Sequence, residues 1–160
     1  GLLLPFLSAL AEHVYAVDQS AAMLRRARSR CHTSGLSNIT FIQKPFEDLD
    51  EDLPTCDALL LHFVMHQVAS PLTALQCVVK RLKRRGRLVI VDFVQHEDEQ
   101  AKETFGSLWL GFSREQIRGW FNQAGLTMDT WHIASGTDPA TDAPFPVFVA
   151  AASHPPASTS

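Results

Sequence analysis

What the chain lacks narrows the field first. Among its 160 residues there are three cysteines, Cys31, Cys56 and Cys77, odd in number and widely spaced. That is neither a disulfide framework nor a zinc-site spacing, so no metal site is expected and the setting reads as reducing and cytoplasmic. No apolar run approaches the roughly 20 residues of a membrane helix. "LLLPFLSALA" (residues 2–11) has the length of a signal-peptide core, but nothing basic precedes it, and a buried helix is the better reading. A strong charge of either sign is missing too: 14 Lys and Arg against 17 Asp and Glu leave −3. The chain therefore gives no global reason to expect a polyanionic partner. Internal repeats are absent. So is an initiating methionine: Gly1 runs straight into helix-like sequence, and we expect a fragment or a processed product whose tail, "HPPASTS", is disordered.

What is present is an ordinary globular composition. Apolar content of 46% and charged content of 19% allow a full core in one domain. In "EHVYAVDQSAAML", the run Val14–Val17 reads as a buried strand that ends in the lone Asp18, and Ser20 then caps a helix. An acid at the carboxyl end of a parallel strand lies on the rim where open α/β sheets bind ligands.

The remaining elements alternate. Residues 2–12 predict a helix with Leu3, Phe6, Leu7 and Leu10 inward. The helix from Ser20 to about His32 is expected to turn Met23, Leu24, Ala27 and Cys31 inward and to stop at Gly35. "NITFIQ" predicts a strand, "FEDLDEDLP" an acidic loop, and "CDALLLHFVM" the most buried strand of the chain. Ser70-Pro71 starts a helix that carries Leu72, Leu75, Val79 and Leu82 and closes at Gly86. "RLVIVDF" follows as a buried strand. "SREQ" (113–116) matches a capping box for a helix that Gly125 ends. "LTMDTWHI" and "PFPVFVAAA" lie too close together for a helix between them and should pair antiparallel. This predicts an α/β fold, a mostly parallel sheet with helices on both faces and an antiparallel C-terminal strand pair.

At this point the residues resemble a family. "AVDQSAAML", "CDALLLHFVMHQVASPLTALQCVVKRLKRRGRLVIVDF" and "LGFSREQIRGWFNQAGL" resemble, in order and spacing, class I S-adenosylmethionine-dependent methyltransferases. The likeness is to the small-molecule, ubiquinone/menaquinone-methyltransferase-like type, over residues 1 to about 152. The fold implied is Rossmann-like, and Gly1 corresponds to the last glycine of the family's GxGxG loop. The family's first strand and the rest of that loop are absent. The resemblance thus implies an N-terminally incomplete domain over 1–152 with a disordered tail over 153–160. Without that strand the sheet would carry unpaired backbone, at ~1–3 kcal/mol for each buried orphan group. We therefore expect this piece alone to fold poorly or to hold cofactor weakly.

The resemblance also implies roles. The carboxylate of Asp18 would accept both ribose hydroxyls of S-adenosylmethionine. Gln19 would border the adenosine, and Met23 would line the adenine or serve as core. Pro45 stands where relatives often place an adenine-binding Asp, so Phe46 would offer its backbone N–H and Glu47 or Asp48 the carboxylate. His62 and His66 flank the strand end beneath the cofactor's methionine portion, and His96 ends the next strand. A base is needed only when the acceptor holds its proton at neutral pH, and histidine titrates in that range. His66 is the first choice and His96 the second, while Asp92 would orient a loop. Phe105, Trp109 and Phe112 would wall an apolar acceptor site, with Trp120 and Phe121 as core.

The implied activity is methyl transfer to a small-molecule acceptor by in-line displacement, by a protein that is not in the membrane. Three rivals stand beside it. A glycine followed by an acid also marks an NAD-dependent oxidoreductase. Two basic clusters, Arg25, Arg26, Arg28, Arg30 and then Lys80, Arg81, Lys83, Arg84, Arg85, Arg87, suggest an RNA-modifying methyltransferase. Solvated helix faces account for them more simply, so nucleic acid is disfavoured. The third rival is a truncated, non-catalytic methyltransferase-like module.

Overall fold

A computed structural model of the chain describes residues 1–45, 48–49, 53–134 and 145–156. They form two compact units, Gly1–Asp50 and Glu51–Ser160.

In the first unit, "VYAVD" and "ITFIQ" are rich in β-branched and aromatic residues, which suit a pleated half-buried surface. They form β1 (Val14–Asp18) and β2 (Ile39–Gln43), paired in parallel from Val14 against Ile39 to Asp18 against Gln43. Helix α2 (Ala21–Thr33) connects them. The Ser20 hydroxyl accepts the Met23 N–H at 3.3 Å, and Gly35 adopts the left-handed φ of +67° that a helix stop favours. Leu24, Ala27 and Cys31 are the buried face of α2. Leu4 of α1 (Leu4–Leu10), Ala27 and Cys31 form a core against which Leu7, Val14, Ala16, Leu36, Ile39 and Phe41 pack.

Two inward faces differ from expectation. Met23 is 47% exposed, because the face set by the Ser20 cap runs through Leu24, Ala27 and Cys31. On α1, Phe6 and Leu10 are 70% and 86% exposed and Leu4 is inward. Two turns of almost wholly apolar sequence contain no polar face, so periodicity has nothing to select.

The second unit holds β3 (Cys56–His62), a 3-10 turn at Met65–Gln67, α3 (Pro71–Val79), β4 (Leu82–Phe93), α4 (Gln100–Phe105), α5 (Arg114–Gln123), β5 (Thr127–Ala134) and β6 (Val147–Ser153). The strand order is β3-β4-β6-β5. β3 and β4 are parallel, and β6 runs antiparallel to both β4 and β5. Parallel ladders, connecting helices and an antiparallel C-terminal pair make the α/β, Rossmann-like architecture expected. α5 begins where the capping box predicts, with the Ser113 hydroxyl accepting the Gln116 N–H at 3.2 Å.

Three further expectations need correction. β3 is not the most buried strand: Leu61 alone of its residues is buried, whereas most of β6 is. β3 lies at an edge of its four-stranded sheet, and an apolar run reads alike at an edge and in the centre. The helix after Pro71 ends at Val79, and Leu82 to Gly86 already belong to β4. A Lys/Arg-rich stretch with good helix formers is drawn into extended backbone by pairing with β3, whose register shifts between Cys56 and Ala58. The second basic cluster therefore lies largely along β4, where Lys83 bonds Asp57 at 2.8 Å, and not at a helix end. Finally, the Ser70 hydroxyl pairs with the Thr73 hydroxyl at 2.8 Å and makes no side-chain cap.

Candidate functional site

The first unit places its candidate residues at the junction of β1 and α2. Asp18 ends β1 on the rim, partly buried, and its Oδ1 accepts the Ser20 N–H at 2.8 Å. That is the one bond its carboxylate makes among the described residues. Gln19 follows, exposed, and Met23 opens onto solvent from the first turn of α2. Gly1 sits against α2: a Cβ there would stand 2.9 Å from the Ala27 Cβ and 3.1 Å from its Cα. No side chain fits such a contact without backbone movement. Phe46 and Glu47 lie outside the described residues; the remaining acid, Asp48, is exposed, and its N–H bonds the Pro45 carbonyl at 3.2 Å.

The second unit places its three candidate histidines at the carboxyl ends of β3 and β4, His66 and His96 beside Phe93 and His62 beside Phe63. His62 closes β3, its ring edge-on to Phe63 at 4.6 Å between centroids. Phe63 itself holds a φ of +54°, which a bulky residue rarely adopts and which turns the chain sharply off the strand. Phe93 lies 5.0 Å from the rings of both Phe63 and His66, and 6.4 Å from that of His96. His96 stacks on Phe145 at 3.8 Å and 8°.

The carboxylate of Asp92 organises this rim. It is fully buried and accepts four donors: Oδ2 takes the N–H groups of Met65 (3.0 Å) and His66 (3.3 Å). Oδ1 takes the Phe93 N–H and His66 Nδ1, each at 2.8 Å. An ionised carboxylate only accepts, so in the neutral ring Nδ1 of His66 must carry the proton and Nε2 is left as an acceptor. His96 is the opposite tautomer. Its Nδ1 accepts the Asp98 N–H at 3.2 Å, so the proton sits on Nε2, which is buried without a partner among the described residues.

Charge at the rim follows burial. Burial lowers the pKa of His62 from its ordinary 6.5, with Asp92 pulling the other way. Burial also lowers that of His96, opposed by Asp98. Both rings favour the neutral form.

The loop after α4 is tied to the same turn. The N–H groups of Leu108 and Trp109 share the His66 carbonyl at 2.8 and 3.1 Å, and the Trp109 indole donates to Val68 O at 2.9 Å. Trp109 is partly exposed, but Phe112 is fully buried beside Trp120 and cannot wall an open site. Phe121 is core as expected. Phe145 is the residue that sequence reasoning missed. Nothing in "PFPVF" signals a stacking partner for a histidine 49 residues away.

A family model described as "Methyltransferase domain" matches residues 6–125. The chain belongs to that family. A demethylmenaquinone methyltransferase from Clavibacter sepedonicus is 33% identical over 87 residues, 54% of this chain and 35% of that protein. The chain thus matches about a third of that relative's length. A putative methyltransferase from Bacillus halodurans superposes with a TM-score of 0.76 at 13% identity, over 96% of this chain and 86% of its own. The [4+2]-cyclase SpnF gives 0.74 at 16% identity, over 97% and 72%. These two likenesses establish the fold. Family and fold together identify a class I, S-adenosylmethionine-dependent methyltransferase domain with a Rossmann-like sheet. No helix among the described residues is long and apolar enough to cross a membrane.

Proposed function

We propose that this methyltransferase domain transfers a methyl group from S-adenosylmethionine to a small-molecule acceptor by in-line displacement. The observation that carries the reading is Asp18, at the carboxyl end of a parallel strand with one carboxylate oxygen held by a single backbone donor. That acceptor set suits a vicinal diol such as a ribose. Gly1 packs so closely on Ala27 of α2 that no Cβ fits there, which suits the glycine that closes the family's loop against a neighbouring helix. Gln19 and Met23 supply exposed surface for the adenosine on the same junction. Phe46, Glu47 and His62 complete the proposed binding residues, His62 as a neutral ring for the methionine portion. The cofactor, when bound, supplies a methyl group on a sulfonium with a good leaving group.

The chain's own contribution is positioning and one proton. His66 Nε2 takes the acceptor's proton when the acceptor is protonated, with His96 on the same rim as the second candidate base. The small-molecule class is supported by the named substrate type of the Clavibacter relative.

Calorimetric titration with S-adenosylmethionine and S-adenosylhomocysteine tests the reading, with NADH as the control for the oxidoreductase rival. Binding of the two sulfur nucleosides without NADH is the expected result. Because SpnF is named a cyclase, transfer of a labelled methyl group to a phenolic or quinol probe is the second readout. NADH binding, or nucleoside binding unaffected at Asp18→Asn, would overturn the proposal.

A further inference from the structure

We infer that Asp92 is a positioning residue that fixes the tautomer of His66 and, through the same carboxylate, the turn on which the aromatic loop rests. The inference deepens the proposed function and rests on His66 being the proton acceptor there. His66 and Asp92 are 2% and 0% exposed, so water does not compete for either group. Four donors converge on two oxygens, and three of them are backbone N–H groups that have no other protonation state. The fourth, Nδ1 of His66, is the one that can change, and the carboxylate allows it to do so in one direction only: it must donate. Nε2 is thereby kept as a lone pair.

The second consequence is mechanical. Oδ2 pins the backbone of Met65 and His66, and the carbonyl of His66 in turn receives Leu108 and Trp109. One buried side chain at the end of β4 therefore sets both a ring and a loop. Substituting asparagine replaces one acceptor with an NH2 group. Oδ2 holds two backbone N–H groups and Oδ1 only that of Phe93, so the amide oxygen stays with the pair, and the NH2 group faces Nδ1 and leaves the Phe93 N–H without its acceptor. His66 must then accept at Nδ1 and carry its proton on Nε2.

The test is nitrogen-15 NMR of the chain with labelled histidine, the His66 signals identified by their loss in His66→Gln. Wild type should show a protonated Nδ1 and an unprotonated Nε2 on His66, and Asp92→Asn should reverse them. A wild-type ring with its proton on Nε2 would overturn the inference, as would a folded Asp92→Asn with the tautomer unchanged. Should Asp92→Asn fail to fold, the wild-type tautomer decides alone. Activity separates this from the function it rests on. Reversal of the tautomer with a kcat loss of about a hundredfold or more and little change in KM supports both. Reversal with kcat intact leaves Asp92 as the positioning residue and removes His66 as base.

Discussion

A Cβ on Gly111 would lie 2.4 Å from the carbonyl oxygen of Val94 and 2.8 Å from that of Phe93. Gly111 also holds a φ of +72°, and Phe112 beside it bridges in parallel to Val94. The loop that bears on His66 is thus docked against the end of β4 through a residue with no side chain. Gly111→Ala should destabilise the protein by about 2–5 kcal/mol, from left-handed strain and from contact with backbone that cannot move aside. A lowered urea midpoint with unchanged slope checks it.

Asn38 closes the first unit at the other end of its strands. Its side-chain amide donates to the carbonyls of Ser8 and Ala11 at 2.9 and 3.0 Å, and its own backbone carbonyl receives the Val14 N–H at 2.9 Å. Asn38→Ala leaves the last carbonyls of α1 without that partner, and should cost about 1–3 kcal/mol. Amide exchange should rise first in residues 4–12.

The ribose reading makes Asp18→Asn informative, because an amide oxygen still accepts the Ser20 N–H while the second acceptor is lost. Loss of a hydrogen bond to a charged group is worth about 1.5–3 kcal/mol, which is roughly a 10- to 150-fold weaker Kd for S-adenosylmethionine. Circular dichroism should stay unchanged. An equal Kd for variant and wild type would remove Asp18 from the site.

Acid should weaken the fold through two rings. The folded-state pKa values of His62 and His96 lie below 6.5, so the unfolded chain takes up protons first as pH falls. Their stabilising contribution is complete above about pH 6.5 and is lost as pH falls through the lower folded values. His62→Gln and His96→Gln should each flatten the decline of the denaturant midpoint below about pH 6.5 relative to wild type. A decline of the same steepness in both variants would contradict this.

Local chemistry makes much of the fold legible. β1 can be placed to the residue, because a β-branched run, a terminal acid and a serine cap all act within a few positions. The Ser113 cap of α5 is equally local, as is the turn at Gly125, with its φ of +78°. The family follows from the order of such signals, and so do the candidate histidines.

What the residues do not disclose is which neighbour each element meets. An apolar run states that a strand favours burial, but edge or centre depends on strand order, so the run in β3 overstates its burial. Leu82 sits among helix-forming residues, yet its backbone is extended because it pairs with Cys56 across the sheet. The four donors on Asp92 come from segments up to 27 residues away, and the ring tautomer of His66 depends on them. Sequence decided where a helix starts and where a strand prefers to lie, since those energies are short-ranged. Tertiary structure alone decided which oxygen faces which proton, because a hydrogen bond exists only once distant chain has been brought within about 3 Å.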